Sequence, residues 1–401
     1  MEGTGENKMA VYLDNAATTH PRPKAVYQAV LHALEEVGAS PGRASHRLAR
    51  EASAIVMRAR EKIARLLDIS GPNRVIFTKN ATESINIALK GWLRPGDRVV
   101  ISGMEHNSVV RPLRRLSESG VIVEIVPCSS SGQLDMSILR RSLDPPPRLV
   151  AITHASNVNG ALQPVSEVAA LCAERSVPLL LDGAQTAGVQ PIFVEGWKLG
   201  MFACSGHKGL LGPPGVGILY IRPDLDVPAL MEGGTGSRSE EAVQPQCCPD
   251  RYESGTPNLP GIAGLAAGVD FIFERGLDAI REHELKLAEI LESGLAEMPG
   301  VKIYRPEARG TGAVSFTVDR LNPGDVGAIL DETFDIAVRT GLHCAPLAHE
   351  TLGALPEGTI RVSPGYATTR EEVDYFLRSL ETLLALRRRG DPKRDKKDRN
   401  A

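Results

Sequence analysis

Ala203-Cys204-Ser205-Gly206-His207-Lys208-Gly209-Leu210-Leu211-Gly212-Pro213-Pro214-Gly215 joins two apolar runs that read as strands, and a lysine sits at its centre. Burying that amine costs free energy, and an exposed lysine there would do little. The small residues Ser205, Gly206 and Gly209 leave room beside the amine for a flat, anionic group. Upstream, Asp182 closes the apolar run Val177-Pro178-Leu179-Leu180-Leu181. An Asp ending an apolar strand is ordinarily a cap, and its partnership with Lys208 is what lifts it above that reading.

Working outward, short β-branched or aromatic runs alternate with segments of helical spacing. Strand-like runs at 75–78, 99–101, 121–126, 149–153 and 178–182 are separated by helical patterns at 81–92, 109–119, 136–143 and 165–176. A short strand running into a polar turn over 11–19 and helical patterns at 24–37 and from 48 precede them, with His46 in the loop 38–46. This predicts an α/β large domain, a mainly parallel sheet covered by helices on both faces. Ligands in such sheets gather at the carboxyl ends of the strands. Asp182 and the turns at 78–82, 105–106 and 156–157 fall at such ends.

Downstream, 233–260 is rich in Gly, Pro and Ser and reads as a long ordered loop, followed by one helical stretch at 262–298. Strand-like runs at 301–304, 313–318, 336–338 and 359–362, with helices at 325–332 and 370–386, predict a smaller α+β C-terminal domain. The expected organisation is an N-terminal segment (1–20) packed on the small domain, a large domain (21–265), a small domain (266–386) and a disordered basic tail (387–401).

The totals bound the function. The chain has 401 residues, too many for one small core, and its 42% hydrophobic and 24% charged residues are ordinary for a globular protein. A net charge of −3 argues against nucleic acid or an anionic membrane as partner. No apolar run reaches membrane-span length, and the first ten residues lack the apolar core of a signal peptide, so a cytoplasmic location is expected. The six cysteines form no Cys-x-x-Cys pair, and no metal site is expected.

Lys208 with Asp182 is the pair needed by an aldehyde cofactor held on a lysine, with a carboxylate on its pyridine nitrogen. That reading is a pyridoxal 5'-phosphate (PLP) enzyme. A lowered Lys208 pKa would let the amine react at neutral pH and afterwards move protons. Thr82, at a strand-to-helix turn, would bind phosphate beside Ser205 and His207, although Asn80 or Thr82 would also serve as a plain helix cap. His106 could stack on the ring, or be a satisfied, partly buried histidine. Gln185 can project from the Asp182 turn and donate to the ring's phenolic oxygen. Arg339 and Arg361 could recognise a carboxylate by their planar forks. Cys344, between His343 and Pro346, is either a thiolate nucleophile or an inert buried thiol.

Together these residues resemble the class V aminotransferase family of fold-type I PLP enzymes, and most closely its cysteine desulfurases. The likeness runs from Tyr12-Leu13-Asp14-Asn15-Ala16-Ala17 to about Leu386. It is carried by Thr153-His154-Ala155-Ser156-Asn157-Val158, Asp182-Gly183-Ala184-Gln185, Ser205-Gly206-His207-Lys208, Glu253-Ser254-Gly255-Thr256-Pro257-Asn258, Arg339-Thr340-Gly341-Leu342-His343-Cys344 and Arg361-Val362-Ser363. The compact Cys344 segment is similar to the group II (Suf-type) enzymes, whereas Asn80-Ala81-Thr82 stands where those usually carry Gly-Thr-Thr.

The resemblance implies that Lys208 is the PLP lysine, Asp182 the ring-nitrogen partner, His106 the stacking residue and Gln185 the phenolate partner. Thr82, Ser205 and His207 match phosphate ligands. Thr256 matches a position that reaches the phosphate of a second subunit, which implies a homodimer. Asn157 and Arg361 match substrate-carboxylate ligands, with His46 and Arg339 lining the same pocket. Cys344 matches the nucleophile that takes sulfur from L-cysteine as a persulfide, releasing alanine, for a sulfur-acceptor protein and uses such as iron–sulfur cluster assembly. The alternatives are a selenocysteine lyase or another class V reaction (aminotransferase, epimerase or β-lyase).

Overall fold

A computed structural model describes residues 10–42 and 46–389, so readings made for 1–9, 43–45 and 390–401 lie outside the described residues. Among the described residues the central sheet has seven strands. Their order is Ile76–Thr78, Gly217–Ile221, Met201–Ser205, Leu179–Asp182, Leu149–Thr153, Arg98–Ser102 and Ile122–Val126. Only Gly217–Ile221 runs against the others. Alternation along the inner strands explains why those runs are apolar throughout, whereas the edge strand Ile122–Val126 carries Glu124 and exposes Ile122 and Ile125. Leu149 and Ala151 enter a core with helices Ala81–Trp92 and Asn107–Ser117. Val150 and Ile152 enter the opposite core, with Arg47–Leu66, Val165–Glu174 and Leu259–Arg275. The expected α/β sheet, covered on both faces, is present.

The small domain is a four-stranded antiparallel sheet, ordered Arg339–Gly341, Thr359–Val362, Val314–Val318 and Val301–Ile303. Helices Leu277–Ala296, Pro323–Phe334 and Arg370–Arg389 cover it around Phe316, Phe376, Leu287 and Leu330. Val11–Tyr12 pairs in parallel with Ile336–Ala337, and Leu13 is buried in the same core. Residues 11–13 thus join the small-domain core, whereas Thr18 and Thr19 bond to the backbone of His207 and Lys208.

Three expectations change. The stretch 262–298 is two helices, Leu259–Arg275 and Leu277–Ala296, broken at Gly276, whose φ of +88° suits glycine. The expected boundary at 265–266 falls inside the first of these, which packs on the helices Lys24–His32 and Arg47–Leu66 of the large domain. The last helix continues to Arg389, past the expected start of the tail at 387. No helix among the described residues is long and apolar enough to cross a membrane.

Candidate active site

The carboxyl ends of the parallel strands open on a cavity of about 280 Å³. Lys208 reaches it from the turn after Met201–Ser205, and Asp182, at the end of the neighbouring strand, closes its buried side. The lysine turn crosses the loop after Asp182 so closely that a Cβ on Gly209 would stand 2.6 Å from the Ala187 carbonyl oxygen. Glycine is required there. Burial lowers the Lys208 pKa to about 8; Asp182 opposes the shift, while Arg361 and Arg339 add to it. Burial raises the Asp182 pKa, against the Ala184 N–H, Lys208 and the Ser108 hydroxyl. The Ala184 N–H donates to Asp182 Oδ1 at 2.9 Å.

His106 caps the helix Asn107–Ser117, and its Nδ1 accepts the Ser108 N–H at 3.0 Å. Burial, with Lys208 and Arg339, pushes its pKa down to about 4. The ring is therefore neutral with its proton on Nε2. At the far end, Asn80 caps the helix Ala81–Trp92 by accepting the Glu83 N–H at 3.0 Å. Thr82 and Ser205 face the cavity there, and no hydrogen bond within the described residues occupies either hydroxyl. His207 Nδ1 pairs with Thr18 Oγ1 at 3.0 Å, and burial drops its pKa to about 4, leaving a neutral ring. Uncommitted donors at a helix N-terminus, an amine and a buried carboxylate fit pyridoxal phosphate.

The other rim is built by the small domain. Arg339 and Arg361 are cross-strand partners, an arrangement of like charges that needs a counter-charge. Asp14 supplies it, with Oδ1 2.6 Å from Arg361 Nη2 and Oδ2 3.9 Å from Arg339 Nη1. Arg361 Nη1 donates to the Asn157 carbonyl oxygen at 2.8 Å, so of the fork only Nε lacks a partner. Asn157 Nδ2 donates to the His343 carbonyl oxygen at 2.8 Å, and the Asn107 N–H to that of Cys344 at 2.8 Å. These bonds hold the Cys344 turn over the cavity, with the thiol residue exposed.

Eleven of the expected residues thus meet in one cavity: Lys208, Asp182, His106, Gln185, Thr82, Ser205, His207, Asn157, Arg339, Arg361 and Cys344. Two do not. His46 is exposed and N-caps the helix Arg47–Leu66, its Nδ1 accepting the Ala49 N–H at 3.2 Å. Thr256 is exposed on a separate cavity with Thr78, Lys79 and Tyr252. Ser108 and Asp14 carry roles that the sequence reading did not assign. A serine two places after His106 was a usable local signal for the first; Asp14 acts on residues remote in the chain and had none.

The family model described as aminotransferase class-V matches residues 11–376. A probable cysteine desulfurase of Methanothermobacter thermautotrophicus is 36% identical over 94% of this chain and 95% of its own length. The structure of a cysteine desulfurase from Thermococcus onnurineus, in its apo form, aligns with a TM-score of 0.87 at 34% identity, over 93% of this chain and 94% of that one. That of a cysteine desulfurase from Escherichia coli, in an S-sulfonic acid form, aligns with a TM-score of 0.85 at 28% identity, over 94% and 95%. With a lysine and a buried aspartate at the strand ends, and a family match spanning both domains, this chain belongs to the aminotransferase class-V family.

Proposed function

We propose that this protein is a PLP-dependent cysteine desulfurase that takes the sulfur of L-cysteine onto Cys344 and releases L-alanine. Members of the family use pyridoxal phosphate. The observation that carries the reading is an exposed thiol on a turn held over the Lys208 cavity. Bound there, the cofactor supplies an aldehyde that engages amino groups and a charged ring that draws electrons from the α-carbon. Lys208, Asp182, His106 and Gln185 would hold its aldehyde, ring nitrogen, ring and phenolic oxygen, and Thr82, Ser205 and His207 its phosphate.

The chain's own groups do the rest. Arg361 Nε and the Arg339 guanidinium meet the substrate carboxylate, while Asp14 keeps the two arginines side by side. With a pKa of about 8, the Lys208 amine is in part unprotonated near neutrality and can take a proton from the α-carbon. The Cys344 thiolate attacks the substrate sulfur, and the electrons of the carbon–sulfur bond leave with carbon, which is then protonated. L-cysteine plus thiol gives L-alanine plus persulfide, with no outside oxidant. The exposed position of Cys344 suits a sulfur-acceptor protein. The exposed Thr256, outside the Lys208 cavity, is available to a second copy's cofactor phosphate, which supports a homodimer. The exposed thiol also favours this reading over transamination, epimerisation or β-elimination. Given L-cysteine and a reductant, the holoenzyme should release alanine and sulfide in equal amounts, and Cys344→Ala should release almost no sulfide. Undiminished sulfide from Cys344→Ala would reject the thiol route.

A further inference from the structure

Glu105, immediately before His106, has no part in the reaction as described. It lies in the turn between the strand Arg98–Ser102 and the helix Asn107–Ser117, and its side chain is 0% exposed. Oε1 accepts two hydrogen bonds, from the Ser102 hydroxyl and from the Thr153 N–H at 2.9 Å. Oε2 is enclosed without any partner, and no ion pair reaches the carboxyl among the described residues. The titratable groups in electrostatic reach are Asp182 and Cys128.

Burial raises the pKa of both nearby acids, but only Asp182 has a cation beside it to oppose the rise. Asp182 has the Ala184 N–H, the Lys208 amine and the Ser108 hydroxyl to favour its ionised form. Glu105 has no cation, and ionising it would set a second buried negative charge close to Asp182. Consistent with this, burial pushes its pKa up to about 8. The bond from the Thr153 N–H ties the His106 turn to Thr153, whose register partner is Asp182, and the Ser102 hydroxyl braces the same oxygen from the preceding strand.

We propose that Glu105 is a positioning residue held as an uncharged carboxylic acid, which fastens the His106 turn to the strand beside Asp182 and leaves Asp182 the charged one of the two. This rests on reading Lys208, Asp182 and His106 as holders of the cofactor. Its direct test needs no cofactor. A difference infrared spectrum at pH 7 between the stripped wild-type protein and Glu105→Gln should show a carboxylic-acid carbonyl band lost in the variant. A carboxylate band in its place overturns the proposal. A wrong cofactor reading would show itself separately, as a wild-type protein that takes on no colour with pyridoxal phosphate.

The holoenzyme supplies the second readout. Glu105→Gln keeps a neutral acceptor for Ser102 and Thr153, so its cofactor absorbance should match the wild type and its kcat should stay within about threefold, the size of one altered hydrogen bond. Glu105→Ala removes the tether; its absorbance should shift and its kcat fall about a hundredfold. A Gln variant as impaired as Ala, or an Ala variant equal to wild type in spectrum and kcat, contradicts the proposal. Should Glu105→Ala fail to fold, the infrared band and the Gln variant decide it.

Discussion

At the residue scale, capture of the cofactor depends on the amine of Lys208 being unprotonated often enough to react. Burial and two arginines outweigh Asp182 and bring its pKa to about 8. The rate at which stripped protein captures pyridoxal phosphate, followed by the growth of its absorbance, should therefore rise as pH passes through about 8. Asp182 holds the Lys208 pKa up, so in Asp182→Asn the midpoint of that rise should move to lower pH. A midpoint that stays or moves up contradicts the pairing. Lys208 and Asp182 were legible in the sequence because each sits where an apolar run stops and polar residues begin. The pairing of Asp14 with Arg361 spans 347 positions and left no local pattern to read.

At the scale of elements the turn bearing Cys344 is the demanding piece of backbone. His343 (φ +48°) and Cys344 (φ +57°) are both left-handed, which costs a non-glycine residue about 1 kcal/mol or more each. The turn persists because Ala345 N–H donates to the Leu342 carbonyl oxygen at 2.8 Å and because Asn107 and Asn157 grip it from the large domain. Asn157→Ala should lower kcat for alanine formation by about ten- to a hundredfold, since the thiol is no longer held at attack distance. The absorbance of the Lys208-bound cofactor should not change. An unaltered kcat would show that the turn holds itself. Strands buried on both faces were legible from their apolar runs. Arg339–Gly341 was not, because two polar residues and a glycine have no apolar alternation, and pairing with Thr359–Val362 is what makes them a strand. The break at Gly276 was hidden because apolar residues continue at helical spacing on both sides of it.

At the scale of the whole molecule the seam between the domains contains another buried acid. Glu284, on the helix Leu277–Ala296, lines a small cavity with Asn15, Thr19, Gln185, Thr311 and Ser363. Burial alone raises its pKa to about 8. The unfolded chain ionises it near the ordinary carboxylate pKa of about 4.3, so its contribution to stability is complete below that pH and is lost as pH rises toward 8. Within that window wild-type stability should fall relative to Glu284→Gln by about 1.4 kcal/mol per pH unit. Urea midpoints of both proteins between pH 5 and pH 8 check this, and parallel curves would contradict it. The change from alternating strands and helices to an antiparallel pattern was legible, but the polarity of the seam was not. Glu284 stands in the charged run Arg281-Glu282-His283-Glu284-Leu285-Lys286 and gives no sign there of facing the large domain.

The central claim is that sulfur leaves L-cysteine by way of one thiol. Intact-mass and peptide mass spectrometry of the holoenzyme, treated with L-cysteine and no reductant, addresses it directly. One sulfur atom should be added per chain, located on Cys344 and removed by a thiol reductant. An unmodified Cys344 in protein that has formed alanine, or sulfur found on another cysteine alone, would contradict it.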